Sequence, residues 1–256
     1  MKIAVAGGTG VVGSQVVEAA RRAGHDVTIL SRSRGVDLST GSGLDGALEG
    51  VDAVIDTANV STMNARKATE FFETTSGHLL SAAGRANVSH VVLLSIVGVD
   101  CNPPDYYAGK LAQEQLYIRS SLPWSIVRAT QFHEFAAQMF DQARLGPLHL
   151  APRARTQPIA ASEVGEHLVT AASGTPLQSV KEIAGPREEE LSELIKRYAR
   201  AIDHRGPVLA VSLPGKQMKG MRAGLNLPSD EAERGRQTFD QWLAQVRPQN
   251  AENRAT

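Results

Sequence analysis

Apolar positions follow two periods along this chain, and the two periods alternate. Ile3, Ala4, Val5 and Ala6 form a short continuous apolar run, as in a strand covered on both faces. A turn rich in glycine follows at Gly7, Gly8, Gly10 and Gly13. Val12, Val16, Ala20 and Ala23 then recur at helical spacing until Gly24 stops the helix. Val27 to Leu30 predicts a second strand and Val51 to Thr57 a third, with a glycine-punctuated loop and a short helical segment, Leu44 to Gly50, between them. Ala65 to Ala86 predicts a long helix, and His90 to Ser95 a fourth, uninterrupted apolar strand. Tyr106 to Ser120 predicts a helix that Pro103, Pro104 and Asp105 introduce, with Asp105 as its N-cap. Trp124 to Arg128 predicts a fifth strand.

Strands alternating with helices imply parallel crossovers. The expected fold class is therefore α/β, a doubly wound, mostly parallel sheet with helices on both faces. Strand order 3-2-1-4-5 is expected, with the strand ends at Ala6, Ser95 and Arg128 opening toward one cleft. Beyond Gly146 the pattern loosens, and prolines punctuate shorter elements, with helices expected near Ala161 to Ala172, Glu188 to Ala201 and Gly235 to Gln245. The tail after Pro248 reads as frayed.

The strand–turn–helix context gives the glycines a chemical meaning. Glycine permits a tight turn and close backbone approach to a pyrophosphate, and a new helix points free N–H groups and its positive dipole end at the anion. Two frames fit at once: Gly8, Gly10 and Gly13 match G-x-G-x-x-G, while Gly7, Gly10 and Gly13 match G-x-x-G-x-x-G. Residues 1–150 read as a dinucleotide-binding domain, and residues 151–256 as a smaller C-terminal part closing the substrate cleft.

The end of the second strand bears on which dinucleotide. An acidic residue about 20 positions past the glycines takes the adenine ribose hydroxyl of NAD. Ser31, Arg32, Ser33 and Arg34 stand there instead, with no carboxylate before Asp37. Two guanidiniums and two hydroxyls suit a 2′-phosphate, so NADP(H) is expected in preference to NAD(H).

Composition narrows the partners. Basic and acidic residues balance at 27 each, which implies no broad electropositive field for nucleic acid. Cys101 is the single cysteine, which excludes an intrachain disulfide and a multi-cysteine metal site; no metal is expected. The first apolar run is broken by glycines too early for a signal peptide, and no stretch approaches the ~18 apolar residues of a membrane span. The expectation is a cytoplasmic protein with a small-molecule substrate, without nucleic-acid or membrane partners.

The segments GGTGVVG, SRSR, VDAVIDTAN, VVLLSIVGV, YYAGK and IVRATQFHEF together resemble the atypical short-chain dehydrogenases/reductases, specifically the NmrA-like NAD(P)H-binding group, over roughly residues 1–170. The resemblance implies a Rossmann-type sheet. It places Thr9, Gly10, Val11 and Val12 against the pyrophosphate, Asp37 and Leu38 beside the adenine, Ala58 and Asn59 where the chain passes the ribose, and Phe132 beside the nicotinamide. Ala129 stands where many relatives have proline.

Ser95, Tyr106 and Lys110 carry the candidate chemistry. Tyr106 and Lys110 are four apart, on one helical face just past Ser95. A nearby ammonium would lower a phenol's pKa from its ordinary value near 10. In the family this arrangement lets tyrosine protonate a carbonyl while serine orients it, and lysine also holds the nicotinamide ribose. The neighbouring Tyr107 could face the cleft in place of Tyr106. His133 could reach substrate from the loop after the fifth strand, although HEFAA lacks the second histidine of H-E-x-x-H.

Three readings follow. The first is an NADPH-dependent oxidoreductase that transfers hydride to a carbonyl or quinone-like molecule. The second is an NmrA-like sensor that binds NADP(H) and acts through a protein partner without turnover. More distant is a nucleotide-sugar epimerase or dehydratase.

Overall fold

The computed structural model describes residues 1–101 and 105–252, so Pro103 and Pro104 lie outside the described residues. The chain divides into two compact units that interleave in sequence. One comprises Met1–Ala129 and Ala161–Glu182, the other Thr130–Ala160 and residue 183 onward. The second unit therefore takes residues from both sides of the boundary expected near residue 150.

The first unit runs β1 (Lys2–Ala6), α1 (Val11–Arg22), β2 (Asp26–Leu30), α2 (Leu44–Ala47), β3 (Ala53–Asp56), α3 (Ala65–Arg85), β4 (His90–Ile96), α4 (Tyr106–Arg119) and β5 (Trp124–Ala129). The second unit follows with α5 (Glu134–Gln142), β6 (Arg144–Leu145), β7 (Leu148–Pro152) and β8 (Arg155–Thr156). The chain then returns to the first unit for α6 (Ala161–Ser173) and leaves it along β9 (Val180–Ala184). It ends with β10 (Glu189–Glu190), α7 (Leu191–Ala201), β11 (Val208–Val211), α8 (Lys216–Ala223), β12 (Glu233–Arg234) and α9 (Phe239–Glu252).

The central sheet is a seven-stranded parallel Rossmann-like sheet in order β12-β9-β5-β4-β3-β1-β2. The order of the first five strands is thus 2-1-3-4-5, which corrects the expected 3-2-1-4-5. The stretch after β2 supplies no outer strand. It closes on itself through a single bridge between Asp37 and Ser42 and the four-residue α2. The strand β3, buried at all four positions, instead takes an interior place between β1 and β4. That choice fits its composition, because a strand apolar on both sides is stable only with both sides covered.

Alternation along the strands sorts the core. Ala4, Ala6, Val54, Leu93 and Ile126 join Leu79 and Ala82 of α3 and Tyr117 of α4 in one cluster. The helices α3 and α4 pack on each other, as do α1 and α6. The strands β1, β3, β4 and β5 run parallel, so their carboxyl ends share one edge of the first unit.

Two helix starts fall later than the sequence pattern suggests, each for a local reason. Glu189 and Glu190 pair with β8, so α7 begins at Leu191, after the acidic run. At α9 the Thr238 amide donates to Oε1 of Gln241, whose own amide donates back to the Thr238 hydroxyl. This capping box starts the helix at Phe239, not near Gly235. The helix continues past Pro248 to Glu252, where a frayed tail was expected; residues 253–256 lie outside the described residues.

Candidate cofactor and active site

The glycine turn is built by contacts that no side chain could tolerate. Gly7 has φ 72°, and a Cβ there would lie 2.8 Å from the carbonyl carbon of Thr57. A Cβ on Gly13 would lie 2.0 Å from the Gly7 carbonyl oxygen. At Gly8 the nearest atom is the movable Ile29 side chain, at 3.0 Å. Of the two glycine frames, the backbone thus demands most of Gly7 and Gly13. The Gly10 amide closes the turn on the Gly7 carbonyl at 2.9 Å, and the Thr57 hydroxyl donates to the Ala6 carbonyl at 2.7 Å. These contacts lock the exits of β1 and β3 together.

The tip of this turn is open. Thr9, Gly10 and Val11 are exposed, while Val12 packs inward at 6% exposure. The helix α1 starts at Val11 with Gly10 as N-cap, no side-chain cap and no acidic residue in its first turn. Its first amides therefore have no intrahelical acceptor, and no carboxylate of its own first turn neutralises the dipole end. A pyrophosphate is the anion such a cradle fits.

After β2, Ser31 is extended and Arg32–Arg34 form one 3-10 turn ending at Gly35, with both arginines exposed. The hydroxyls of Ser31 and Ser33 are 3.1 Å apart. Asp37 accepts from the hydroxyl and the amide of Ser39 at 2.7 and 2.8 Å. Those bonds, with the nearby Arg32 charge, hold its carboxyl below the ordinary carboxylate range. Leu38 is partly buried against the core, and its carbonyl meets Nδ1 of His78 at 2.9 Å.

The exits of β3 and β4 meet the start of α4. Ala58 is buried, and the exposed Asn59 accepts a 2.6 Å hydrogen bond from the Tyr106 phenol. The ring of Tyr106 stands edge-on to Phe72, with centroids 5.7 Å apart. Burial, then the neighbouring Tyr107, pushes the Tyr106 phenol above its ordinary value. This is opposite to the lowering expected of a tyrosine beside an ammonium. Lys110 does not offset it. Its ammonium turns inward, 4% exposed, donating to the Leu94 carbonyl at 2.7 Å and to Oε1 of Gln113, and lies 4.8 Å from the centre of the Phe72 ring. Burial pushes that ammonium down to about 8 against the opposing pull of Asp56 and Glu114. Tyr106 and Lys110 thus both touch Phe72 yet hold different partners. Tyr107 packs in the core at 5% exposure. Ser95 is 2% exposed, and its Oγ has no hydrogen-bond partner among the described residues. Asp105 is the residue before α4 but makes no side-chain cap, because at φ 62° and ψ −125° it lies outside the extended region typical of an N-cap.

A buried polar network beneath this edge has no counterpart in the sequence reading. Asp56, 1% exposed at the end of β3, accepts from Ser76 at 3.2 Å, Gln113 at 3.0 Å, Tyr117 at 2.9 Å and the Ala58 amide at 2.9 Å. Beside it Arg128 clamps the enclosed Glu114 through two bonds of 2.9 and 2.7 Å and reaches Asp100 at 2.8 Å. One signal was available: Lys110, Gln113, Glu114 and Tyr117 recur at helical spacing, so the inward stripe of α4 is polar.

In the second unit Phe132 is half-buried and bridges to Ile159. His133 is 1% exposed, with Nε2 3.1 Å from the Gln237 carbonyl and its ring near Phe239 and Trp242.

Comparison with known proteins agrees with this architecture. The UDP-glucose 4-epimerase from Bifidobacterium longum, in complex with NAD+ and UDP, is similar at 14% identity and a TM-score of 0.73, with 99% of each chain covered. The UDP-N-acetylglucosamine 4-epimerase from Bacillus cereus is similar at 21% identity and a TM-score of 0.70, covering 97% of this chain and 96% of that one. An NADPH-dependent quinone oxidoreductase from Escherichia coli is similar at 13% identity and a TM-score of 0.68, covering 95% of this chain and 99% of that one. No curated protein matches. The family model described as NAD(P)H-binding matches residues 7–173, the span from the glycine turn through α6. The chain belongs to the NAD(P)H-binding family.

Proposed function

We propose that this protein is an NADPH-dependent oxidoreductase that reduces a carbonyl or quinone-like small molecule. The observation that carries the reading is the Tyr106 phenol, held by Asn59 at the carboxyl edge of the sheet. A hydroxyl there, with the enclosed Ser95 Oγ on β4 that has no hydrogen-bond partner among the described residues, is what proton delivery to a substrate oxygen requires. The exposed turn at Thr9–Val11 would hold the pyrophosphate, and Arg32 and Arg34 the 2′-phosphate. NADPH, when bound, supplies the hydride. Tyr106 then holds a proton for the reacting oxygen, and Ser95 orients that oxygen.

A second reading has its own support. Lys110 is committed to Leu94 and Gln113, and the Tyr106 phenol is made less acidic, as suits an NADP(H) sensor that acts through a protein partner. The nucleotide-sugar epimerase reading rests on fold likeness at low identity. Turnover of a panel of ketones, aldehydes and quinones with NADPH separates these. A Tyr106-dependent oxidation of NADPH supports the reductase, and tight NADPH binding with no turnover by any member supports the sensor.

A further inference from the structure

Gln113 stands between two buried groups of opposite charge. Its side chain lies on the inward stripe of α4 and is 0% exposed. At one end Nε2 donates to Oδ2 of Asp56 at 3.0 Å and to the Ser76 hydroxyl at 2.8 Å. At the other end Oε1 accepts from the Lys110 ammonium. Turning the amide over would set its oxygen against the Asp56 carboxylate and its N–H groups against the ammonium. The flanking charges therefore fix its direction. Asp56 is anchored independently by Ser76, Tyr117 and the Ala58 amide. Both N–H groups of Gln113 are thus committed, and Oε1 is left for Lys110.

That contact decides where the ammonium sits. Lys110 and Tyr106 are one turn apart on α4, and both meet Phe72. The ammonium lies 4.8 Å from the ring centre, and the tyrosine ring stands edge-on with centroids 5.7 Å apart. The ammonium has two buried acceptors, Gln113 and the Leu94 carbonyl, while the phenol is held by the neutral Asn59. Asp56 of β3 and Glu114 of α4 are the charges that pull on Lys110, whereas Tyr106 feels its neighbour Tyr107. An ammonium brought beside a phenol favours its ionised form. We propose that Gln113 is a positioning residue: oriented by Asp56 and Ser76, it keeps the Lys110 ammonium away from Tyr106 and leaves the phenol its proton. The inference rests on the reductase reading only for where that proton goes. In that reading it passes to the substrate oxygen left negative by hydride addition to the carbonyl carbon, and Tyr106 is left as phenolate.

The test is an NMR pH titration of the full chain carrying isotope-labelled tyrosine rings, and it needs neither cofactor nor substrate. The chain has four tyrosines, and Tyr106→Phe identifies the signal of interest. In the wild type Tyr106 is expected to titrate above the ordinary ~10. Gln113→Met keeps similar bulk but removes the acceptor that holds the ammonium. Tyr106 should then titrate at least about one pH unit below ~10, the effect of a nearby opposite charge. Loosened packing alone returns a phenol to its ordinary value and cannot take it lower. Adding Lys110→Met to Gln113→Met should therefore bring Tyr106 back to ~10 or above. A wild-type Tyr106 that titrates below ~10, or one that stays at or above ~10 in Gln113→Met, overturns the proposal. The wild-type signal still puts it at risk if the variant fails to fold. The reductase reading fails separately, by absence of NADPH-dependent turnover across the carbonyl panel, whatever the tyrosine titration shows.

Discussion

The phenol of Tyr106 donates to Oδ1 of Asn59 across 2.6 Å, tying the first residue of α4 to the loop leaving β3. Asn59 also takes the amide of Val60 at 2.7 Å on the same oxygen. The tyrosine is thereby held by a neutral acceptor that does not compete for its proton. In the reductase reading Tyr106→Phe leaves NADPH affinity near wild type and lowers turnover by the ~10²–10⁴-fold that general acid catalysis supplies. Tyr107→Phe, in a residue packed in the core, lowers turnover little. Steady-state kinetics with parallel cofactor titration check both, and a wild-type rate in Tyr106→Phe removes the tyrosine from the mechanism.

Arg32 and Arg34 lie exposed on the turn after β2, where no carboxylate precedes Asp37. If they meet the 2′-phosphate, Arg32→Ala should weaken NADPH binding by about one to two decades, the ~1.5–3 kcal/mol of a hydrogen bond to a charged group. NADH affinity should scarcely change. Fluorescence titration of both cofactors measures the difference, and equal wild-type affinities would reject the assignment.

Gly13 faces the Gly7 carbonyl so closely that a methyl group would sit 2.0 Å from its oxygen. Gly13→Ala must therefore push α1 away from the turn, at a cost of roughly 1–3 kcal/mol for overpacking. Gly24→Ala is strained by its φ of 78° alone, with nothing within 4 Å of the added methyl. The expected contrast is loss of nucleotide binding in Gly13→Ala and a modest fall in melting temperature with binding retained in Gly24→Ala.

The glycine turn and the strand ends were legible because local rules govern them. Only glycine accepts both the positive φ of Gly7 and the approach at Gly13, and unbroken apolar runs such as Val91–Leu94 announce covered strands. The place of β3 was not legible. Nothing in Val51–Asp56 says which strand it will pair with, since pairing depends on what the loop from Ser31 to Leu44 fails to provide. The direction of Lys110 was hidden for a similar reason. Spacing put it on one face with Tyr106, but the acceptors that draw it inward, Leu94 and Gln113, come from another strand and from the next turn of its own helix.

Arg128 separates an enclosed ion pair from an exposed one. Its side chain is 13% exposed, that of Glu114 1% and that of Asp100 49%. Removing the enclosed partner strands a charge in the interior, so Glu114→Ala should cost about 3–5 kcal/mol. Asp100→Ala should cost no more than ~1 kcal/mol, because solvent already screens that pair. Urea unfolding of the two variants tests the ranking, and a larger loss in Asp100→Ala would contradict it.

Lys110 makes stability depend on alkaline pH in an unusual direction. Its ammonium titrates near 8 in the folded chain and at the ordinary 10.5 when unfolded. Between those values the unfolded chain binds the extra proton, so this group makes stability rise with pH across roughly 8 to 10.5. Below about 8 both states carry the charge, and the burial penalty is fully present. Above 10.5 both are neutral and the contribution levels off. The slope cannot exceed about 1.4 kcal/mol per pH unit for one proton. Lys110→Met removes the titrating group while filling similar space, so the stability of wild type relative to this variant should climb through that window. Paired urea melts at half-unit steps from pH 7.5 to 10.5 measure the difference. A flat or falling difference would mean that Lys110 keeps an ordinary ammonium in the folded chain, accessible to ligand from the start.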